Sequence, residues 1–176
     1  RQQSGAALQR KDAILQAIAF AAEQFLSEPS WETHIQQVLA RLGQAAAVSR
    51  VYIAQNHRSD DTLVTSQRYE WTAPGIEPQL DNPQGKPIYG PISALPNGEQ
   101  PMLIRHGIQS IVIMPIFVEE RWWGFIGFDD CLTERSWTAT ELDVLKAAAA
   151  TLGAAIHRKQ VVEALSEGES RLRQVI

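Results

Sequence analysis

Residues Ser110 to Asp130 read SIVIMPIFV, then Glu119-Glu120, then RWWGFIGFDD. Two strand-like runs separated by two polar residues require a tight antiparallel hairpin. A register drawn about Glu119-Glu120 places Phe117 opposite Trp122, Ile113 opposite Ile126 and Ile111 opposite Phe128 on one face. The other face then carries Ile116 opposite Trp123, Met114 opposite Phe125 and Val112 opposite Gly127. Both faces are apolar. Antiparallel sheets commonly leave one face to water, so a hairpin apolar on both sides needs a cover on each.

The first cover comes from helices. Leu8, Leu15, Ile18, Ala22 and Phe25 fall on one stripe of an N-terminal helix, and that stripe suits a partner helix. Ser30 stands at the N-cap of a second helix burying Trp31, Ile35, Val38, Leu39 and Leu42, and Gly43 is expected to end it. Thr138-Ala-Thr-Glu141 has capping-box spacing, with Trp137 and Leu142 at the staple positions. The helix starting there repeats through Leu142, Leu145, Ala149, Leu152 and Ile156, slips, and resumes at Val161, Leu165, Leu172 and Val175. Such a helix packs on the domain first and leaves it afterwards, free to pair with its own copy.

The second cover is irregular. Val48 to Asn56 and Leu63 to Trp71 form another hairpin, turned by the polar cluster 56–61. In its second strand Leu63, Thr65, Gln67, Tyr69 and Trp71 share one side, while Val64, Ser66, Arg68 and Glu70 share the other, a pattern of edge type. Pro74 to Pro101 then holds seven of the nine prolines and four of the eleven glycines, which forbids a long helix or a central strand. Loops this long in compact domains are uncommon and often functional. A short helix over about 98–106, stopped by Gly107 with Leu103 and Ile108 in contact, is predicted next.

Charge and motif content narrow the function classes. Sixteen Lys and Arg are scattered among twenty Asp and Glu, for a net charge of −4, with no basic block to neutralise a run of phosphates. Nucleic acid is excluded as a direct partner. The apolar runs Ile108 to Val118 and Ala147 to Ile156 are interrupted or too short for a span of roughly 20 residues. No signal peptide is visible, so no direct membrane insertion is expected and the location is read as cytoplasmic. The single Cys131 excludes an internal disulfide and a multi-cysteine metal site, and fits a reducing compartment. His34, His57, His106 and His157 lie far apart, and neither G-x-S-x-G nor a phosphate-binding glycine loop occurs, so neither catalysis nor a metal is expected. Asp129-Asp130 closes a strand, where carboxylates serve free N–H groups of a turn. A start at Arg1 without methionine and an end inside a helical pattern read as a piece of a longer protein.

HGIQSIVIMPIF (106 to 117) and WWGFIGFDDCLTERSWTATELDVLKAAAATLGAAI (122 to 156) resemble the GAF domain of bacterial multidomain signalling proteins, over roughly residues 8–160. The tail ALSEGESRLRQVI (164 to 176) is similar to the helix that leads into a following PAS domain. The resemblance implies an α+β fold: an antiparallel β-sheet with N- and C-terminal helices on one face and a loop and short-helix cover on the other. The divisions are an N-terminal signalling helix (1–29), a GAF core (30–157) and a connecting helix (158–176). It also implies a small-molecule pocket under the middle segment. Output passes through helices forming a parallel homodimer, which feed a sensor histidine kinase of a two-component system, or a cyclic-dinucleotide enzyme, in the same chain. Bilin-binding members attach their chromophore through a cysteine in the middle segment. Pro74 to Gly107 has none, so no covalent bilin is expected and a non-covalent ligand stays unidentified. Cyclic-nucleotide-binding members carry N-K-x-x-E after the final strand, where this chain has FDDCLTE.

The pocket candidates are Tyr52, Tyr69, Trp71, Tyr89, Met102, Arg105, His106, Met114, Trp123 and Phe125, an aromatic and apolar set with a few polar groups. Arg105 and His106 suit an anionic ligand or the carbonyls of a helix end. The hairpin leaves two choices: Trp122, Ile126 and Phe128 border the pocket, or Trp123 and Phe125 do. The expected function is a non-enzymatic sensory module that binds a small molecule or a partner and transmits its state through the terminal helices. One alternative is a ligand-free structural dimerisation spacer. Another is a redox enzyme of the methionine-sulfoxide-reductase type, disfavoured because thiol–disulfide cycling uses more than one cysteine.

Overall fold

The computed structural model describes residues 2–78 and 107–175, with side chains over 5–78 and 107–174. Helix α1 (Gln2–Ser27) leads through a 3-10 turn (Trp31–Thr33) into α2 (Ile35–Ala46). Strands β1 (Arg50–Ser59), β2 (Thr62–Thr72), β3 (Ser110–Val118) and β4 (Arg121–Asp130) follow, and α3 (Ala139–Val175) completes the order. The four strands form one antiparallel sheet in the order β2-β1-β4-β3. The expected short helix over 98–106, and with it the second cover, lies outside the described residues.

Helices α2 and α3 cover one face of the sheet, and α1 packs on them from outside. Val51, Ile53, Val112, Ile116, Val118, Ile126 and Phe128 meet Ile14, Phe25, Ile35, Val38, Leu39, Leu42, Leu145, Leu152 and Ile156 in a single core. At roughly 1.5–3 kcal/mol for each fully buried large apolar side chain, this layer is the main source of stability.

Helix details depart from the sequence pattern in instructive ways. The buried edge of α1 is Ala7, Ile14, Ala17, Ala21 and Phe25, whereas Leu8 and Leu15 point outward at 57% and 42% exposure. Small alanines allow the close interhelical approach that leucines would prevent. Ser30 precedes the 3-10 turn and makes no side-chain cap. Gly43 does not end α2. The helix continues to Ala46, and Ala47 takes the left-handed conformation (φ 55°), with Val48 N–H donating to Gly43 O and Ala47 N–H to Gln44 O. That is a Schellman closure. Gly43 is required for another reason: a Cβ there would sit 2.1 Å from the indole of Trp71.

The start of α3 follows the capping-box rule. Glu141 N–H donates to Thr138 Oγ1 at 3.1 Å and Thr138 N–H reaches back to Glu141 at 3.4 Å. Glu141 is buried and also holds Arg10 of α1 at 3.0 Å. Burial pushes its pKa up, but the Arg10 and Thr138 bonds outweigh burial and keep it below the usual range. Arg135, just before α3, donates to the carbonyls of Ala46 and Ala47 at the C-terminus of α2, where a cation is favoured. The core face of α3 ends at Ile156; Val161, Leu165 and Leu172 are exposed.

Two β-bulges set the sheet faces. In β1–β2, Ile53 pairs with Tyr69 but Ala54 pairs with Gln67, so Arg68 is an extra residue. In β3–β4, Ile116 pairs with Gly124 but Phe117 pairs with Trp122, so Trp123 is extra. The second bulge corrects the expected register. Phe117 does oppose Trp122, but Met114 opposes Ile126, Ile113 opposes Gly127, Val112 opposes Phe128 and Ile111 opposes Asp129. Side-chain direction has a period of two, so one inserted residue moves everything beyond it to the other partner. The Asp60-Asp61 turn is also tighter than expected. Both residues have positive φ (50° and 63°), which matches strand twist and lets β1 run through Ser59.

Candidate functional site

The sheet face opposite the helices carries a different chemistry. Along β1 every second residue, Arg50, Tyr52 and Ala54, points there. Their partners across the pairings include Glu70 and Gln67 of β2 and Phe125, Gly127 and Asp129 of β4. Tyr52, Ala54 and Phe125 form a small apolar cluster with Ile113 beside it, separate from the helical core. Tyr52 meets Phe125 edge-on, with ring centroids 6.4 Å apart. Gly127 lies directly under the Tyr52 ring, and a Cβ on it would come within 2.2 Å. Glycine inside a strand marks such a close approach, and here it lets the phenol lie across β4.

Beside this aromatic pair sits a buried charge cluster. Arg50 is 2% exposed, Asp129 0% and Glu70 9%. Arg50 Nε stands 3.4 Å from Asp129 Oδ2, an ion pair with poor hydrogen-bond geometry. Its other nitrogens donate to Glu77 O at 2.9 Å and to Cys131 Sγ at 3.2 Å. Burial raises the Asp129 pKa to about 7 against the pull of Arg50 and Tyr52, and Glu70 adds to the rise. The Cys131 thiol is also pushed up, first by burial, so it is a poor nucleophile. Near neutral pH this floor can therefore hold or release a proton at Asp129.

The adjacent aspartates divide their work. Asp130 accepts from Leu132 N–H at 2.9 Å and Thr133 N–H at 3.0 Å through Oδ1, and from the Thr133 hydroxyl at 2.7 Å through Oδ2. It shapes the exit from β4, as expected of both. Asp129 does not: neighbouring strand residues face opposite sides, and it is turned onto the charged face.

The pocket candidates divide as well. Tyr52 and Phe125 lie together on the face opposite the helices. Tyr69, Trp71, Met114 and Trp123 pack against the helical core instead. The bulges account for Tyr69, Trp71 and Trp123, and the shifted register accounts for Met114. Neither expected grouping of the β4 aromatics survives intact: Ile126 and Phe128 face the helices, Trp122 is exposed, and Trp123 and Phe125 part company. Tyr89, Met102, Arg105 and His106 lie outside the described residues. Arg50, Glu70 and Asp129 are additions to the set. For Arg50 the signal in the sequence was a charge alternating with Tyr52, and for Asp129 a charge alternating with Phe125 and Gly127; Glu70 lies in a polar, edge-type strand where a charge does not stand out.

The GAF domain family model matches residues 30–156. The chain belongs to the GAF family. This GAF domain is 38% identical to the methanogenesis regulatory histidine kinase FilI of Methanothrix harundinacea, across 98% of this chain and 22% of that protein. The chain spans 22% of the length of the curated relatives it matches. Among solved structures, the phycoerythrobilin-bound GAF domain of a cyanobacterial phytochrome superimposes with a TM-score of 0.64 at 18% identity, covering 87% of this chain and 97% of that one. The photoproduct state of a GAF domain from Synechocystis sp. PCC6803 gives 0.64 at 20% identity, covering 77% and 99%. At such identities these likenesses establish the fold of the GAF domain. Membership of the GAF family and the kinase relative support a sensory, regulatory module. Among the described residues no three metal-ligating side chains converge, and no helix is long and apolar enough to cross a membrane.

Proposed function

We propose that this GAF domain binds a small molecule non-covalently on the sheet face opposite the helices and reports its presence through α1 and α3 to a signalling domain in the same chain. The carrying observation is the buried Arg50, Asp129 and Glu70 cluster beside Tyr52 and Phe125. Buried charge is costly and adds little to stability compared with apolar packing. Perturbed, buried titratable groups next to an aromatic wall are characteristic of binding sites. The neighbour described above as phycoerythrobilin-bound is consistent with a ligand on this fold, while the absence of cysteine from Pro74 to Gly107 argues against the covalent attachment that the resemblance implies for bilin-binding members. The module itself is read as non-enzymatic and cytoplasmic.

Native mass spectrometry of protein purified from its own host, compared with the denatured protein, tests this reading. The expected result is a retained small molecule that Arg50→Gln and Tyr52→Leu reduce, and visible absorbance of the sample would identify a non-covalent bilin. Identical masses before and after denaturation would count against ligand binding and favour the spacer alternative.

Output through a homodimer rests on the exposed Val161, Leu165 and Leu172 of α3 and Leu8 and Leu15 of α1. In this reading the helix continues into a PAS domain and then a histidine kinase. A ligand moves such a dimer only by its differential affinity for two helix arrangements. Light scattering of the full chain and of a version ending at Ile156 checks the interface; equal monomeric masses would remove it.

A further inference from the structure

Both bulges in the sheet deliver their residues to one place, the 3-10 turn Trp31–Thr33. Trp123, the extra residue of β4, meets Trp31 edge-on with ring centroids 5.9 Å apart. Tyr69, which follows the extra residue of β2, meets the same ring at 5.6 Å. The next residue, Glu32, collects polar contacts from two elements. Its carboxylate accepts the Tyr69 hydroxyl at 3.0 Å, lies 3.7 Å from the guanidinium of Arg68, and bonds the ammonium of Lys159 on α3.

Lys159 lies three residues beyond Ile156, the last residue of α3 in the buried core. Its neighbour Arg158 donates to Phe25 O at 2.6 Å at the end of α1. Residues 158 and 159 therefore pin the point where α3 leaves the domain. Bulges concentrate twist in a strand pair, so a change of strand twist is felt most where these two pack. Trp31 is 3% exposed and held by two rings, so movement of either strand is passed to Glu32, its covalent neighbour.

We infer that the Trp31-Glu32 turn is the coupling element that carries the state of strands β2 and β4 to the exit of helix α3, with Glu32 as the latch and Tyr69 and Lys159 as its two ends. The inference rests on the reading of the opposite sheet face as the sensing face for its biological meaning. The mechanical link itself is present without any ligand. Lys159 also has Glu163 at 3.7 Å, one turn further along α3, as an alternative partner when Glu32 moves away.

Hydrogen–deuterium exchange on the full chain, without added ligand, tests the link. Loss of one such bond is expected to speed exchange of the amides over 157–165 roughly two- to tenfold in both Glu32→Gln and Tyr69→Phe. Amides over 8–20 of α1 should stay unchanged. Tyr69→Phe is the decisive variant, because it removes one hydroxyl on β2 and leaves every side chain of α3 in place. Thr138→Ala, which weakens the far end of α3, is the control for general destabilisation. A double-mutant cycle of Tyr69→Phe with Lys159→Met should show non-additive exchange at 157–165. Unchanged exchange at 157–165 in Tyr69→Phe, or a uniform acceleration over all amides like that of the control, would overturn the inference. Failure to find a ligand by mass spectrometry would leave these exchange results standing, so the two readings fail separately.

Discussion

Phe128 and Asp129 are neighbours in β4, both completely buried, and they face opposite sides of the sheet. Phe128 packs among apolar side chains of the helices, where close packing decides the energy. Asp129 faces Arg50 on a floor whose charges must be held by one another and by backbone groups. The first face stabilises the molecule. The second gives up stability to keep titratable groups in place, which is why the functional proposal sits there.

The largest break in this contrast is expected from Phe128→Ala, which should cost about 3–5 kcal/mol in chemical denaturation, the range for a fully buried phenylalanine. A loss below about 1 kcal/mol would show that the helix-covered face is not the tightly packed partner in this comparison.

Asp129 makes the opposite face sensitive to pH. Its folded pKa, about 7, is above the ordinary carboxyl value of 3.8, so between these limits the folded state binds the extra proton and stability falls as pH rises. The slope reaches up to about 1.4 kcal/mol per pH unit and flattens above the folded pKa. Glu32, Glu141 and Asp130 have depressed values and contribute on the acid side, where their stabilisation is lost as pH falls. Denaturation of the wild type and of Asp129→Asn at pH 5, 6 and 7 separates the effects. The decline belongs to the wild type and should vanish in the variant; parallel curves would remove Asp129 as its source.

Gly127→Ala sharpens the contrast at a smaller scale. The new methyl must displace the Tyr52 ring, at a cost of about 1–3 kcal/mol typical of overpacking. The near-ultraviolet circular dichroism of the tyrosine should change with it. An unchanged spectrum and stability would mean that the phenol does not need its place across β4.

Much of the architecture was legible in local pattern. The two-residue turn at Glu119-Glu120, the capping box at Thr138 and Glu141, the two-sided burial of β4 from Gly124 to Asp130 and the departure of α3 after Ile156 all follow from spacing and residue type. Each is a short-range property, settled by residues within a few positions of one another. The site was legible only in part. Tyr52 and Phe125 stand on the charged face as a pair, but Tyr69, Trp71, Met114 and Trp123 belong to the opposite side.

By itself the sequence determined the element types, the helix start, the sheet's need for two covers and membership of a family recognisable from its final hairpin and helix. Only the tertiary structure decided which aromatic faces which way, because an extra residue at Arg68 or Trp123 leaves the alternation of each strand intact and shows itself only against the partner strand. The same holds for Arg50, Glu70 and Asp129. Each reads alone as a charge in a strand; the pairings set Arg50 against Asp129 and Glu70 against Tyr52, on the one face where a ligand is proposed.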